Sequence, residues 1–346
     1  MAYTTIDNPG LFFNTVTWSG DGATGRSITG VGFQPDWVWI KNRSTTNEHL
    51  LFDVIRGVQV ALNSNDTTAD DTISNSLTAF NSDGFSVSGN ASCNASSSNY
   101  VGWDWKAGGS ASSNSDGSIT SSVSVNTTAG FSICAFNGNS GTVGHGLGAK
   151  PDFLVVKSRQ TAGSNNWVLT HSALGTNMAD KYLILNGTDA VGTSSNVWGG
   201  EPTSTTFTVA SAVAANDNNI AYLFTEKKGY SKFGSYTGNG NADGTFVYTG
   251  FRPAWVMCRD VDNAAGWHIF DNKRPNAFNV INKRLEADNS DAENSTSGCE
   301  IDLVSNGFKL RGNFDNINRS GSNHIFMAFA EAPFVTAGTK AAGTAR

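Results

Sequence analysis

The sequence predicts an all-β protein of three tandem β-sandwich or jelly-roll units, each about a hundred residues long. Three observations predict it. First, one motif recurs along the chain: Gly32-Phe33-Gln34-Pro35-Asp36-Trp37-Val38-Trp39-Ile40-Lys41, Gly148-Ala149-Lys150-Pro151-Asp152-Phe153-Leu154-Val155-Val156-Lys157 and Gly250-Phe251-Arg252-Pro253-Ala254-Trp255-Val256-Met257-Cys258-Arg259. Its prolines stand 116 and 102 residues apart. Second, apolar residues recur with a period of two, which sends alternate side chains to opposite faces of a sheet. Third, short apolar runs are separated by Gly, Asn, Asp and Ser, which suit tight strand reversals, and no amphipathic helix is found.

Each copy passes the same landmarks in the same order. An opening strand enters a turn at Val16-Thr17-Trp18-Ser19-Gly20-Asp21-Gly22, Ile133-Cys134-Ala135-Phe136-Asn137-Gly138-Asn139 and Gly234-Ser235-Tyr236-Thr237-Gly238-Asn239-Gly240. The Pro-led strand follows and is apolar on both sides, with Trp37 and Trp39 facing one way and Val38 and Ile40 the other. Such a strand belongs in the middle of a sheet with material on each face. One face is the sandwich core, so the other needs cover from a neighbouring unit or another subunit. Next come His49-Leu50-Leu51-Phe52-Asp53, Trp167-Val168-Leu169-Thr170-His171 and Trp267-His268-Ile269-Phe270-Asp271. Short strands close at Leu62-Asn63, Leu185-Asn186 and Leu285-Glu286, and Phe-led strands follow around Phe85, Phe207 and Phe308. Each unit ends on an alternating strand: Val101, Trp103 and Trp105; Ile220, Tyr222 and Phe224; Ile325, Met327 and Phe329.

These landmarks set the boundaries: an N-terminal arm at 1–14, repeats at 15–108, 109–227 and 228–335, and a C-terminal tail at 336–346. The stretch from Gly108 to Gly117 is Gly- and Ser-rich and reads as a linker opening the second repeat. The junction around Lys227-Lys228-Gly229-Tyr230 is tighter, so the second and third repeats are expected to pack together.

Charged residues make up only 15% of the chain, and the net charge of −6 leaves no basic stripe for nucleic acid. Low charge with many small polar residues fits extracellular or virion β-proteins. Cys93, Cys134, Cys258 and Cys299 occupy non-equivalent positions in the repeats. A disulfide framework would repeat with the units, so four free thiols are expected. No run reaches membrane-spanning length. The opening residues lack a basic region followed by an apolar core, so no signal peptide is expected. Assembly in a bacterial cytoplasm and release by lysis follows from that reading.

The phrases SITGVGFQPDWVWIKNRS, SLTAFNSDGFSV, NTTAGFSI, GHGLGAKPDFLVVKSR, GYSKFGSYTGNG and DNKRPNAFNV resemble a family of marine bacteriophage proteins of the cyanophage and pelagiphage type. The resemblance runs from Met1 to about Val335. Its members are described as tail-fibre-like virion proteins, some with lectin-like β-sandwich character of the concanavalin A or laminin G kind. It implies such a fold here and supplies no catalytic residues.

Sugar-binding sites pair an aromatic platform with carboxylates or carboxamides. The candidates are Trp198 with Glu201, in a loop without counterpart in the other repeats, and Trp18 with Asp21 in the first opening turn. The remaining tryptophans on patterned strands read as core. The acidic loops Asn65-Asp66 with Asp70-Asp71, and Asp288 with Asp291 and Glu293, match no calcium-loop spacing and read as solvated turns. Scattered carboxylates and five histidines define no glycosidase pair or triad. The expectation is a non-enzymatic virion protein without metal or cofactor, working as a surface fibre or spike that adsorbs to host glycans by weak multivalent contacts. A homotrimer contacting other virion proteins is expected, with no nucleic acid and no membrane insertion. The alternatives are a head decoration or cement protein and, third, a polysaccharide depolymerase spike.

Overall fold

Gly32, Gly148 and Gly250 each open a Pro-led strand at φ of 86°, 71° and 82°, a region where a Cβ is strained. They turn the chain sharply into strands Trp37–Asn42, Phe153–Ser158 and Phe251–Asp260. In the computed structural model, which describes residues 4–160, 166–216, 218–275 and 279–335, these three strands lie inside three large antiparallel sheets. The first sheet runs in the order Phe13–Ser19, Asn99–Trp105, Trp37–Asn42, Leu50–Asp53. The third repeats this order with Ser231–Thr237, Asn323–Pro333, Phe251–Asp260, His268–Asp271 and Leu285–Glu286. The second places Phe131–Phe136, Asn219–Phe224, Phe153–Ser158 and Val168–His171 in the same order and extends to eight strands. The chain is thus all-β; its one α-helix among the described residues is Asp315–Asn318.

A small sheet faces each large one, sandwich fashion. Arg26–Thr29, Gly84–Val87 and Leu77–Asn81 form the first; Gly141–Gly144 and Thr206–Val209 the second; Phe246–Tyr248, Gly307–Leu310 and Ile301–Val304 the third. Each facing pair encloses its own apolar cluster, around Val38 and Phe85, Leu154 and Phe207, and Val256 and Phe308. Strand alternation sends the other side chains into a fourth cluster that all three large sheets share. Trp37, Trp39, Trp103 and Trp105 meet Phe131, Phe153, Tyr222 and Phe224, and Trp255, Met327 and Phe329. The rings interlock across sheets: Trp37 stacks on Tyr222 at 4.5 Å, Trp105 meets Trp255 edge-on at 5.7 Å, and Phe224 meets Phe329 at 5.5 Å. The second face of each Pro-led strand is therefore covered within the chain. The homotrimer expectation keeps only the virion analogy as support.

Polar contacts close the same three interfaces in one direction. Lys41, Lys157 and Arg259 end the repeated motif and are fully buried. Lys41 Nζ donates to the Ser290 carbonyl (3.1 Å), and Lys157 Nζ donates to that of Thr67 (3.1 Å). The Arg259 guanidinium donates to the carbonyls of Gly187, Thr188 and Asp189. Nearby, Arg43 pairs with Glu293 at 2.9 Å and Arg159 with Asp70 at 2.6 Å. The acidic loops thus receive a neighbouring segment's cations. One strand across, His49 meets the Glu286 carbonyl (3.0 Å), Trp167 Nε1 donates to Asn63 O (2.7 Å) and Trp267 Nε1 to Ile184 O (3.0 Å). The first segment reaches the third, the second the first and the third the second, so the contacts close a ring.

The Gly/Ser stretch is no free linker. Ser112–Asn114 pairs with Ser121–Asn126 as the outer strand of the second sheet, and Gly109 N donates to Asp36, because its small residues fit closely against neighbouring backbone. Gly108 leaves only 2.5 Å between a would-be Cβ and Val125 O. The N-terminal arm folds back: Ile6 and Phe13 enter the shared core, Phe13 stacking on Phe329 at 5.0 Å. Residues 1–3 of that arm and the tail at 336–346 lie outside the described residues.

Asp53 accepts from Tyr222 OH (2.7 Å) across one interface and from Arg56 within its own loop, with both members of the Asp53–Arg56 pair fully buried. Asp53→Ala strands that guanidinium without a counter-charge. Urea unfolding should show a loss of about 3–5 kcal/mol.

Candidate functional site

The aromatic platforms expected for sugar lie inside the protein. Trp198 is 1% exposed within the second sandwich core, and its Nε1 donates to Lys181 O at 3.0 Å. Its ring presents no face to solvent, because the loop's lack of a counterpart reflects an added core contact. Trp18 is 8% exposed, stacked on Tyr100 at 5.4 Å, with its Nε1 donating to Cys93 O. Glu201 is half-buried, pairs with Lys150 at 2.6 Å and accepts from the Met178 and Ala179 amides. Asp21 is exposed and accepts from Ala23 N and Asn94 Nδ2. The Ala23 amide, then Asn94, hold its carboxyl below the usual range. Trp18 and Trp198 sit in different cores, so the four residues form no common site.

Other reactive side chains are also turned inward. All five histidines are buried, and burial holds each below its usual pKa, His171 at about 4. The four cysteines are buried free thiols, and burial raises Cys134 and Cys258 to about 12. Among the described residues no three His, Cys, Asp or Glu side chains gather as a metal site. Asp104 is the most demanding case. It is fully buried opposite Val38 and Asn14, neither carboxylate oxygen has a hydrogen-bond partner, and burial raises its pKa well above the usual value. The corresponding positions carry Leu223 and Ala328, apolar side chains that make no such demand.

What remains exposed is an aromatic pair that the sequence reading passed over. Phe246 and Tyr248 lie two residues apart on strand Phe246–Tyr248, 46% and 56% exposed. They are the large exposed aromatics among the described residues. Between them Val247 points into the core opposite Phe308. Across the outer face, Phe246 stands opposite Lys309 and then Asp302, and Tyr248 opposite Gly307 and then Val304. Aligning the three Phe-led strands puts exposed Ser27 and Thr29 at the equivalent places of the first copy, and Thr142 and Gly144, the latter buried against Asn114, at those of the second. The signal was in the sequence: two of three copies use small residues where the third uses large rings.

Charges on this face are matched. Lys309 Nζ lies 2.7 Å from Asp243 and Arg311 Nε 3.2 Å from Asp302; Lys309 holds the Asp243 carboxyl below its usual pKa by hydrogen bonding and charge. Beside the sheet, Arg311 also lines an open cleft of about 490 Å³ with Asn282, Glu300 and Asn313. That volume falls in the range of small-molecule sites.

A family model described as a domain of unknown function (DUF7483) matches residues 8–333 in one stretch across all three large sheets. No curated protein and no solved structure matches the chain.

Asp104 tests how strictly the interior excludes charge. Its raised folded pKa means that the native state keeps a proton that the unfolded chain releases above about 3.9. Stability is therefore lost as pH rises from there toward the folded pKa. Asp104→Asn removes this titration, so its advantage over the parent should grow between pH 4 and pH 8 in thermal melts. A constant difference across that window would contradict the assignment.

Proposed function

We propose that this chain, which belongs to the DUF7483 family, is a non-enzymatic structural protein displayed on a virion surface, where it adsorbs to host cells through weak contacts multiplied by copy number. The inward placement of reactive chemistry carries this reading: buried neutral histidines, buried high-pKa thiols and interlocked tryptophans serve cohesion. Such side chains are poorly placed for acid–base or nucleophilic work, which needs access to substrate. The outer surface carries many Gly, Ser, Thr and Asn turns, scattered charged side chains such as Asp83, Lys150 and Asp243, and one aromatic face. A braced body with an exposed patch suits a protein that must hold its shape outside a cell and touch a surface repeatedly. The phage resemblance supplies the particle, and the family match leaves the role open.

A capsid decoration protein is the second reading, favoured by the ring of interlocking contacts, since a cement protein needs rigidity above all. Cryo-electron microscopy with quantitative gel densitometry on purified particles separates the two. Few copies confined to the tail are expected under the adsorption reading. Copies spread over the head lattice would favour decoration, and absence from the particle would overturn both.

A further inference from the structure

We infer that the outer face of the third small sheet is a binding site for an uncharged saccharide chain, with Phe246 and Tyr248 as stacking platforms. The inference rests on the adsorption reading above and gives it a place and a ligand class. The first copy of the same strand solves the folding problem with exposed Ser27 and Thr29, whereas in the second Gly144 is buried against Asn114. The fold therefore does not require large rings at these outward positions. Leaving two half-exposed aromatics side by side is unfavourable in water unless something covers them.

The size of the patch argues against a protein partner. Two rings offer roughly 200 Å² of apolar surface, whereas a stable protein interface takes about 800 Å² from each side. Its charge argues against an ionic ligand, because Lys309 and Arg311 are each matched by a carboxylate at 2.7 and 3.2 Å. The patch therefore fits a neutral molecule with apolar C–H faces and many hydroxyls. Residues i and i+2 on a strand are about 6.6 Å apart, so the two rings offer adjacent platforms to an extended chain. Hydrogen-bonding groups stand beside them. Arg311 bridges from this face to the cleft holding Asn282, Glu300 and Asn313, whose amides and carboxylate give donors and acceptors for a longer saccharide.

The test uses the full chain on an array of neutral and anionic oligosaccharides, followed by calorimetric titration of the best ligand. Phe246→Ser/Tyr248→Thr installs residue types already tolerated at the equivalent places, and thermal melts check that it folds. The expected result is saturable binding to neutral saccharides, weakened about tenfold or more in the double variant at unchanged melting temperature. Neutral binding that survives the substitution would overturn the site, and a preference for anionic saccharides would overturn the ligand class. If the chain sits at the virion tail but binds no saccharide, the inference fails while the structural reading stands. If it binds neutral saccharides through these rings but is absent from particles, the site stands and the virion reading fails.

Discussion

The shared aromatic cluster is the constraint on which the rest of this structure depends. Each large sheet is apolar on both faces, and one small sheet can cover only one of them. The remaining faces cover one another, which brings Trp37, Trp105, Tyr222, Phe224, Trp255 and Phe329 into mutual contact. Burying side chains of this size is worth several kcal/mol each in mutational terms, and that gain exists only when the three sheets are together. The polar ring makes the arrangement specific. Lys41, Lys157 and Arg259 each donate to one carbonyl of their own strand, Asn42, Ser158 and Asp260, and to others on a neighbouring segment, so a wrong pairing leaves buried cations with part of their hydrogen bonds lost.

Much of this was legible in the sequence because it follows from period and repetition. The two-residue alternation of Trp37 and Trp39 against Val38 and Ile40 divides between the shared core and the first sandwich core. The need for a second cover could be read too, but not its source, since hydropathy says that a face is buried and not by what. Nothing within the motif marks its terminal cations as interface residues. Their role in the interfaces depends on loops more than sixty residues away in the chain, a relation that no local pattern encodes.

The candidate site shows the opposite balance. Trp198 was a candidate because its loop has no counterpart in the other repeats, yet a missing counterpart does not report where a ring points. It fills the second core and bonds Lys181 O. Phe246 and Tyr248 were concealed by a short strand whose alternation is inverted, with the large rings outside and Val247 inside. Comparison among the copies, and not hydrophobicity, separates rings that the fold needs from rings that it does not.

Differential scanning calorimetry of the intact chain tests the shared core most directly. If the three sheets stand or fall together, unfolding is one transition whose calorimetric and van't Hoff enthalpies agree. Resolved successive transitions, or a calorimetric enthalpy about three times the van't Hoff value, would mean that each sheet pair folds independently, and the interlocked core would not be what holds the protein together.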